Sequence, residues 1–250
     1  MKKFLYWGVV PLLSLAIIGL LYIHIKHPYN IWVTEYFPNL ITTFVGIIIT
    51  VTVVDKILEK DKKIRNNKYA ETALKKIGEP FYEITNMFFK MIKASTDPET
   101  LRKYKNLPST YEELFKSELI NELPCLDFKA KAPSMHGMLW YEYAAETVTD
   151  NFKKINELVD AYAIFLEPDF VAKLHELETH SVICILKYAK IILANTQPDF
   201  MSGDMMKEFF DKMIFIIKNL ENHFPPLKSI RPSSFENGVA TKVEDSRIAD

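Results

Sequence analysis

The chain has little cysteine, little glycine and almost no net charge, and each shortage removes a class of function. Its 250 residues hold two cysteines, Cys125 and Cys184. These are too few and too far apart to cage a metal or build a disulfide framework, so both read as buried, reduced thiols. Seven glycines stand against 17 phenylalanines and 12 tyrosines, which argues against a glycine-rich phosphate loop and for a helical protein packed with aromatic rings. The 31 basic and 32 acidic residues leave a formal net charge of -1, so any affinity for nucleic acid must come from a local cluster. Catalytic patterns are missing too. No Ser/His/Asp, Cys/His, Walker or dinucleotide pattern sits in a strand-turn-helix setting, and no stretch reads as a strand. His175 and Glu176 followed by His180 resemble a zinc-protease motif, but the second histidine comes one residue too late. Five residues are about 140° of helical rotation, which turns the two imidazoles apart. The Glu-x-x-His of di-iron bundles is also absent. The sequence predicts no enzyme, no metal and no cofactor.

What the chain does have is a stretch, Pro38 to Lys68, in which an apolar run passes without a helix breaker into a charged one. Leu40 to Val54 carries no charge in 15 residues. With Tyr36 to Asn39 and Asp55 to Leu58 added, it approaches the roughly 20 residues that cross a bilayer. Phe4 to Ile25, 22 residues with His24 as the one ionisable group, predicts an earlier span that is too long for a signal peptide and is bent at Pro11. Lys2 and Lys3 precede the first span, Lys26 lies between the two, and Lys56, Lys60, Lys62, Lys63, Arg65 and Lys68 follow the second. The positive-inside rule then places both termini in the cytoplasm. A short outer connection presents Tyr29, Trp32, Tyr36 and Phe37 to the headgroup layer.

Within the second span Thr42, Gly46 and Thr50 recur at i, i+4 and i+8, aligning small residues on one helix face where another backbone can approach. The partner for that face is either the first span, with its Gly8 and Gly19, or another copy of the chain around a symmetry axis. In the second case Thr43 or Thr52 offers polar groups to a lumen, and Glu35 and Asp55 place carboxylates at its two mouths. The six basic residues from Lys56 to Lys68 anchor the span at an anionic leaflet, or bind an anionic nucleotide or oligonucleotide.

The remainder reads as a helical bundle. Ala70, Leu74, Ile77, Phe81, Ile84, Phe88 and Met91 form a core-facing seam. Gly78 and Pro80 interrupt it, predicting a kink or restart and a hinge toward the span. Thr96-Asp97-Pro98-Glu99 predicts one helix start, and Ser109 with Glu112 a second, ending before Pro124. Cys125 to Gly137 reads as a loop. Long helices are predicted over Met138–Leu166 and Pro168–Ala194, and Asp204 caps a last one reaching His223, apolar almost all round. Pro225-Pro226 ends it. The expected organisation is a transmembrane hairpin (1–58), a juxtamembrane helix (59–79), a cytoplasmic bundle (80–226) and a disordered tail (227–250), all of it α-helical.

The run ITVTVVDKILEKDKK closing a hairpin, together with YAIFLEPDFVAKLHEL, resembles bacterial two-span membrane proteins with a cytoplasmic helical domain, and these in turn resemble membrane effectors of anti-phage systems. The resemblance covers most of residues 36–195 and brings no catalytic residues. It implies signal-gated permeabilisation of the bacterial inner membrane. The resulting expectation is a homo-oligomeric channel among membrane lipids. The alternative is a non-conducting scaffold or sensor that recruits a soluble protein partner.

Overall fold

The structure is a computed structural model that describes residues 10–26, 31–103, 107–133, 137–192 and 204–230, with backbone alone at 31–34, 98, 102–103 and 204. Two long helices come first: α1, Val10–Lys26, and α2, Ile31–Ser95. They are followed by α3 (Pro98–Lys103), α4 (Tyr111–Lys116), a 3-10 helix (Glu118–Cys125), α5 (Trp140–Tyr162), α6 (Pro168–Glu178), α7 (Ser181–Lys187), α8 (Ala189–Ile192), α9 (Asp204–Leu220) and a 3-10 turn (Pro225–Leu227). Among the described residues the fold is all-α. Its one piece of β pairing is an isolated antiparallel bridge between Lys131 and Leu139. The chain divides into two compact units, Met1–Asn66 and Asn67–Asp250. Within the expected juxtamembrane segment 59–79, Ala73 and Ile77 are buried in the second unit's core.

In the first unit, α2 is the one described helix long and apolar enough to cross a membrane. Its most apolar window has a mean hydropathy of 2.0 and none of it is buried. The shorter apolar helix α1 contains no buried residue. The first part of the expected earlier span, with Lys2, Lys3 and Gly8, lies outside the described residues, as do Tyr29 and the side chain of Trp32.

The second unit is built on the apolar period of α2. Ile77, Phe81, Ile84, Phe88 and Met91 are fully buried, and Ala73, Met87 and Ile92 join them. Aromatic rings from distant parts of the chain then meet. Phe88 lies 4.9 Å from Phe209 and 5.7 Å from Phe210, Phe115 stacks on Phe210 at 4.5 Å, and Tyr111 meets Phe89 edge-on at 6.5 Å. Such ring pairs add attraction beyond the area they bury. Helix α9 packs on α4 and α6, and α5 packs on α7 and α8. A half-buried ion pair, Lys187 to Glu178 at 2.7 Å, ties α7 to α6, and Asn156 of α5 donates to both Glu178 oxygens.

Several sequence expectations are corrected. α2 does not restart at Gly78 and Pro80; it is helical throughout. Proline costs a free helix about 3 kcal/mol, but Ile77 and Phe81 on either side are anchored in the core, and their burial offsets that cost. The second cap is shifted by one residue: Thr110 accepts from Glu113 N, while the Glu113 carboxylate accepts from the Thr110 and Ser109 backbones. That helix is short, and a 3-10 helix containing Pro124 continues from it. The helix predicted over 168–194 is three helices, because the His180 ring accepts from Val182 N and opens a new N-terminus. Ile191, expected on its apolar side, is exposed. Around α9 the apolar cover is incomplete, since Met205 and Phe215 are exposed. Leu227 and Ile230, assigned to the tail, are buried, with Ile230 N donating to Ser109 O at 2.8 Å; residues 231–250 lie outside the described residues. Cys125 is exposed and Cys184 half-buried, so neither is the buried thiol expected.

Candidate functional site

An α-helix turns about 100° per residue, so sequence position fixes which side of α2 each apolar-unit residue occupies. The half-buried side chains Phe37, Ile41, Phe44, Ile48, Val51 and Asp55 fall on one stripe. Thr42, Gly46 and Thr50 are all exposed and centre about 180° away from that stripe. A Cβ built on Gly46 meets nothing within 4 Å, and the same holds for Gly19 of α1. Among the described residues no side chain packs on the small-residue face at Gly46. Three hydroxyls of this span bond back to their own helix: Thr42 Oγ1 donates to Pro38 O, Thr43 Oγ1 to Asn39 O and Thr52 Oγ1 to Ile48 O, each at 2.8 Å. Thr43 lies beside the exposed face, and Thr52 falls on the half-buried side.

The two carboxylates do not share a side. Glu35 is exposed and Asp55 half-buried, and 20 residues of continuous helix turn them about 160° apart. One α2 face cannot bring both to the two mouths of a single lumen; Glu35 lines up with the small-residue face and Asp55 with the opposite one. The basic residues spread differently again. Lys56, Lys60, Lys62, Lys63, Arg65 and Lys68 are all exposed, and helical rotation distributes them around the whole circumference. They form a collar directly after the apolar run, with Glu59 and Asp61 interleaved, rather than a one-sided pocket for an anion.

Gly78 has a packing role that its sequence context does not reveal. It is buried, and a Cβ added there would lie 2.4 Å from Phe224 Cβ and 2.7 Å from Phe224 Cγ. Those atoms lie next to the Phe224 backbone and cannot swing away, so glycine is needed for the chain after α9 to close on α2. The Phe224 ring continues to Tyr82 at 6.0 Å between centroids.

Two residues further along α2, Pro80 lines an open groove of about 490 Å³ together with Lys76, Glu79, Glu83, Asn151, Lys154, Glu157 and Leu158. The sequence drew attention to Pro80 alone. The contribution of α5 went unnoticed, although Asn151 marks it: a polar residue on the core-facing side of a helix, between Val148 and Ile155, that is 8% exposed.

The remaining sequence candidates are structural. His180 is a helix cap whose ring lies 5.4 Å from Phe209. Burial, aided by the nearby Lys212 charge, holds it below the usual histidine range. No group of three His, Cys, Asp or Glu side chains able to hold a metal ion occurs among the described residues. Burial also raises the Tyr111 hydroxyl, which hydrogen-bonds with Tyr82 in the core. Comparison of the chain with protein-family models, with curated proteins and with solved structures returns no match.

Proposed function

We propose that the chain is an oligomeric effector of the bacterial inner membrane, in which copies of α2 assemble through the Thr42, Gly46 and Thr50 face and conduct ions under the control of the helical domain. The observation that carries this reading is the exposure of that face on the side of α2 opposite its half-buried stripe. In hydrocarbon there is no hydrophobic drive between helices, so close backbone approach at small residues is a main source of association. The Thr42 hydroxyl, bonded to its own helix, makes its end of this face compatible with lipid before assembly. The cationic collar fits an anionic cytoplasmic leaflet, giving both termini cytoplasmic. The resemblance to anti-phage effectors supplies the biological setting. Among the carboxylates, Glu35 is the one that would face the axis.

The test is ion flux from liposomes holding the full-length protein, with a fluorescent thallium or potassium indicator inside. Flux that rises with protein density supports the reading, and a tight seal at every density assigns the protein to the non-conducting scaffold class. Assembly is read separately. Gly46→Leu should shift the light-scattering mass in mild detergent toward the monomer, whereas an unchanged mass means that this face meets lipid only.

A further inference from the structure

The groove between α2 and α5 takes no part in the function proposed above, and its walls carry mostly acceptors. Asn151 is more than nine-tenths buried and its Nδ2 donates to Thr147 O at 2.8 Å. Among the described residues nothing donates to its Oδ1, and the residue lines the groove. Pro80, also on the wall, has no N–H to offer the Lys76 carbonyl one turn earlier, so that carbonyl lacks its normal helical donor. Around the rim Glu79, Glu83 and Glu157 are exposed, and none forms a salt bridge among the described residues. The rim's two cations differ: Lys76 Nζ donates to Tyr162 Oη at 3.0 Å and sits 5.4 Å from that ring's centroid, so it is engaged elsewhere. Lys154 makes no side-chain hydrogen bond or salt bridge among the described residues. Leu158 and the Pro80 ring add apolar surface between these polar groups.

We propose that this groove binds a linear alkylpolyamine. Ammonium and secondary-amine N–H groups match an array of carbonyl and carboxylate oxygens, and the methylene spacers match the proline ring and Leu158. Three carboxylates against two lysines, one of them held against Tyr162, leave the rim one charge negative, which favours a polycation over an anion or a zwitterion. Uncharged donors such as sugars leave the carboxylates unneutralised, and a compact hydrated dication makes no use of the apolar wall. The inference is independent of ion conduction: it concerns the second unit alone and stands or fails whether or not the protein forms a pore.

The experiment is isothermal titration of the full-length protein in uncharged detergent with spermidine, with magnesium at matched ionic strength as control. Saturable heat with one site per chain is expected. Replacing the three rim carboxylates together (E79Q/E83Q/E157Q) should weaken it at least about tenfold, and Lys154→Gln should strengthen it. All four positions are exposed, so these variants keep the fold, which an unchanged thermal transition verifies. Non-saturable heat, equal displacement by magnesium, or a triple variant that binds as well as the parent would each overturn the proposal. So would binding of a lysine-rich peptide by a protein that ignores spermidine, because the groove would then serve a protein partner.

Discussion

The two compact units use the same kinds of side chain in opposite ways. Along α2, the isoleucines and valines between Leu40 and Val54 stay exposed or half-buried, and Ile49 is 57% exposed. Further along the same helix Ile77, Phe81, Ile84 and Phe88 are completely buried. One helical period and one set of residue types therefore yields a buried core in one place and an uncovered apolar surface in the other. The difference lies in what the rest of the chain supplies. α4 to α9 bring rings and aliphatic groups to the second half of α2, while among the described residues the side chains of the first half stay exposed or half-buried. Apolar surface left open over that length demands an outside solvent or partner, and the charge-free run followed by a cationic collar makes the bilayer the natural one.

That comparison is first tested by deletion. Phe88→Ala removes a buried ring that touches both Phe209 and Phe210 and should cost about 3–5 kcal/mol, seen as a large fall in the thermal unfolding temperature of the helical domain. Ile49→Ala on the exposed side of the apolar run should change the same transition by less than about 0.5 kcal/mol. Similar losses from the two would mean that the first half of α2 is also packed inside the protein.

A smaller effect is expected at Gly78. Alanine there collides with the Cβ and Cγ of Phe224, so Gly78→Ala should destabilise by about 1–3 kcal/mol as other overpacked cores do. In a Phe224→Gly background, where the obstructing atoms are gone, most of that loss should vanish. A hinge glycine behaves differently, since its substitution would alter activity with little change in stability whatever stands at position 224.

The smallest effect is one of pH. His180 is neutral in the fold, and burial keeps it so. Its contribution is therefore fully present above the unfolded histidine value of about 6.5. It is lost as pH falls below that value, because the unfolded chain then binds the proton more readily. His180→Asn retains a good cap without a titrating ring. The variant should lose less stability than the parent between about pH 7.5 and pH 5.5, measured by thermal unfolding; identical losses would remove His180 as the cause.

Much of this architecture was legible in the sequence because it depends on local pattern. The seam from Ile77 to Met91, the start at Pro98 and the corner at Pro168 follow from apolar period and proline chemistry, and the structure keeps all three. What escaped notice depends on partners far along the chain. Gly78 beside Pro80 carries the local signature of a weak point, and only the approach of Phe224 reveals it as a packing glycine. The break at His180 was hidden because the apolar period continues through it. Burial of Leu227 and Ile230 after two prolines likewise needs the Ser109 carbonyl to receive Ile230 N. At the candidate sites, the small-residue stripe was visible in the spacing, but its orientation away from the half-buried side required the burial of its neighbours. The groove was half visible, through Pro80, and half hidden in the acceptor of Asn151.

The claim on which the account rests is that α2 crosses a membrane and leaves the helical domain on the cytoplasmic side. Thiol labelling of intact bacterial cells with a membrane-impermeant maleimide tests it, using the exposed Cys125 as the cytoplasmic reporter and Tyr29→Cys as the outer one, in chains with Cys184 replaced by alanine. Chains carrying each reporter alone should behave oppositely, with position 29 labelled in intact cells and Cys125 only after the membrane is permeabilised. Labelling of Cys125 in intact cells, or protection of both positions until permeabilisation, would contradict the account.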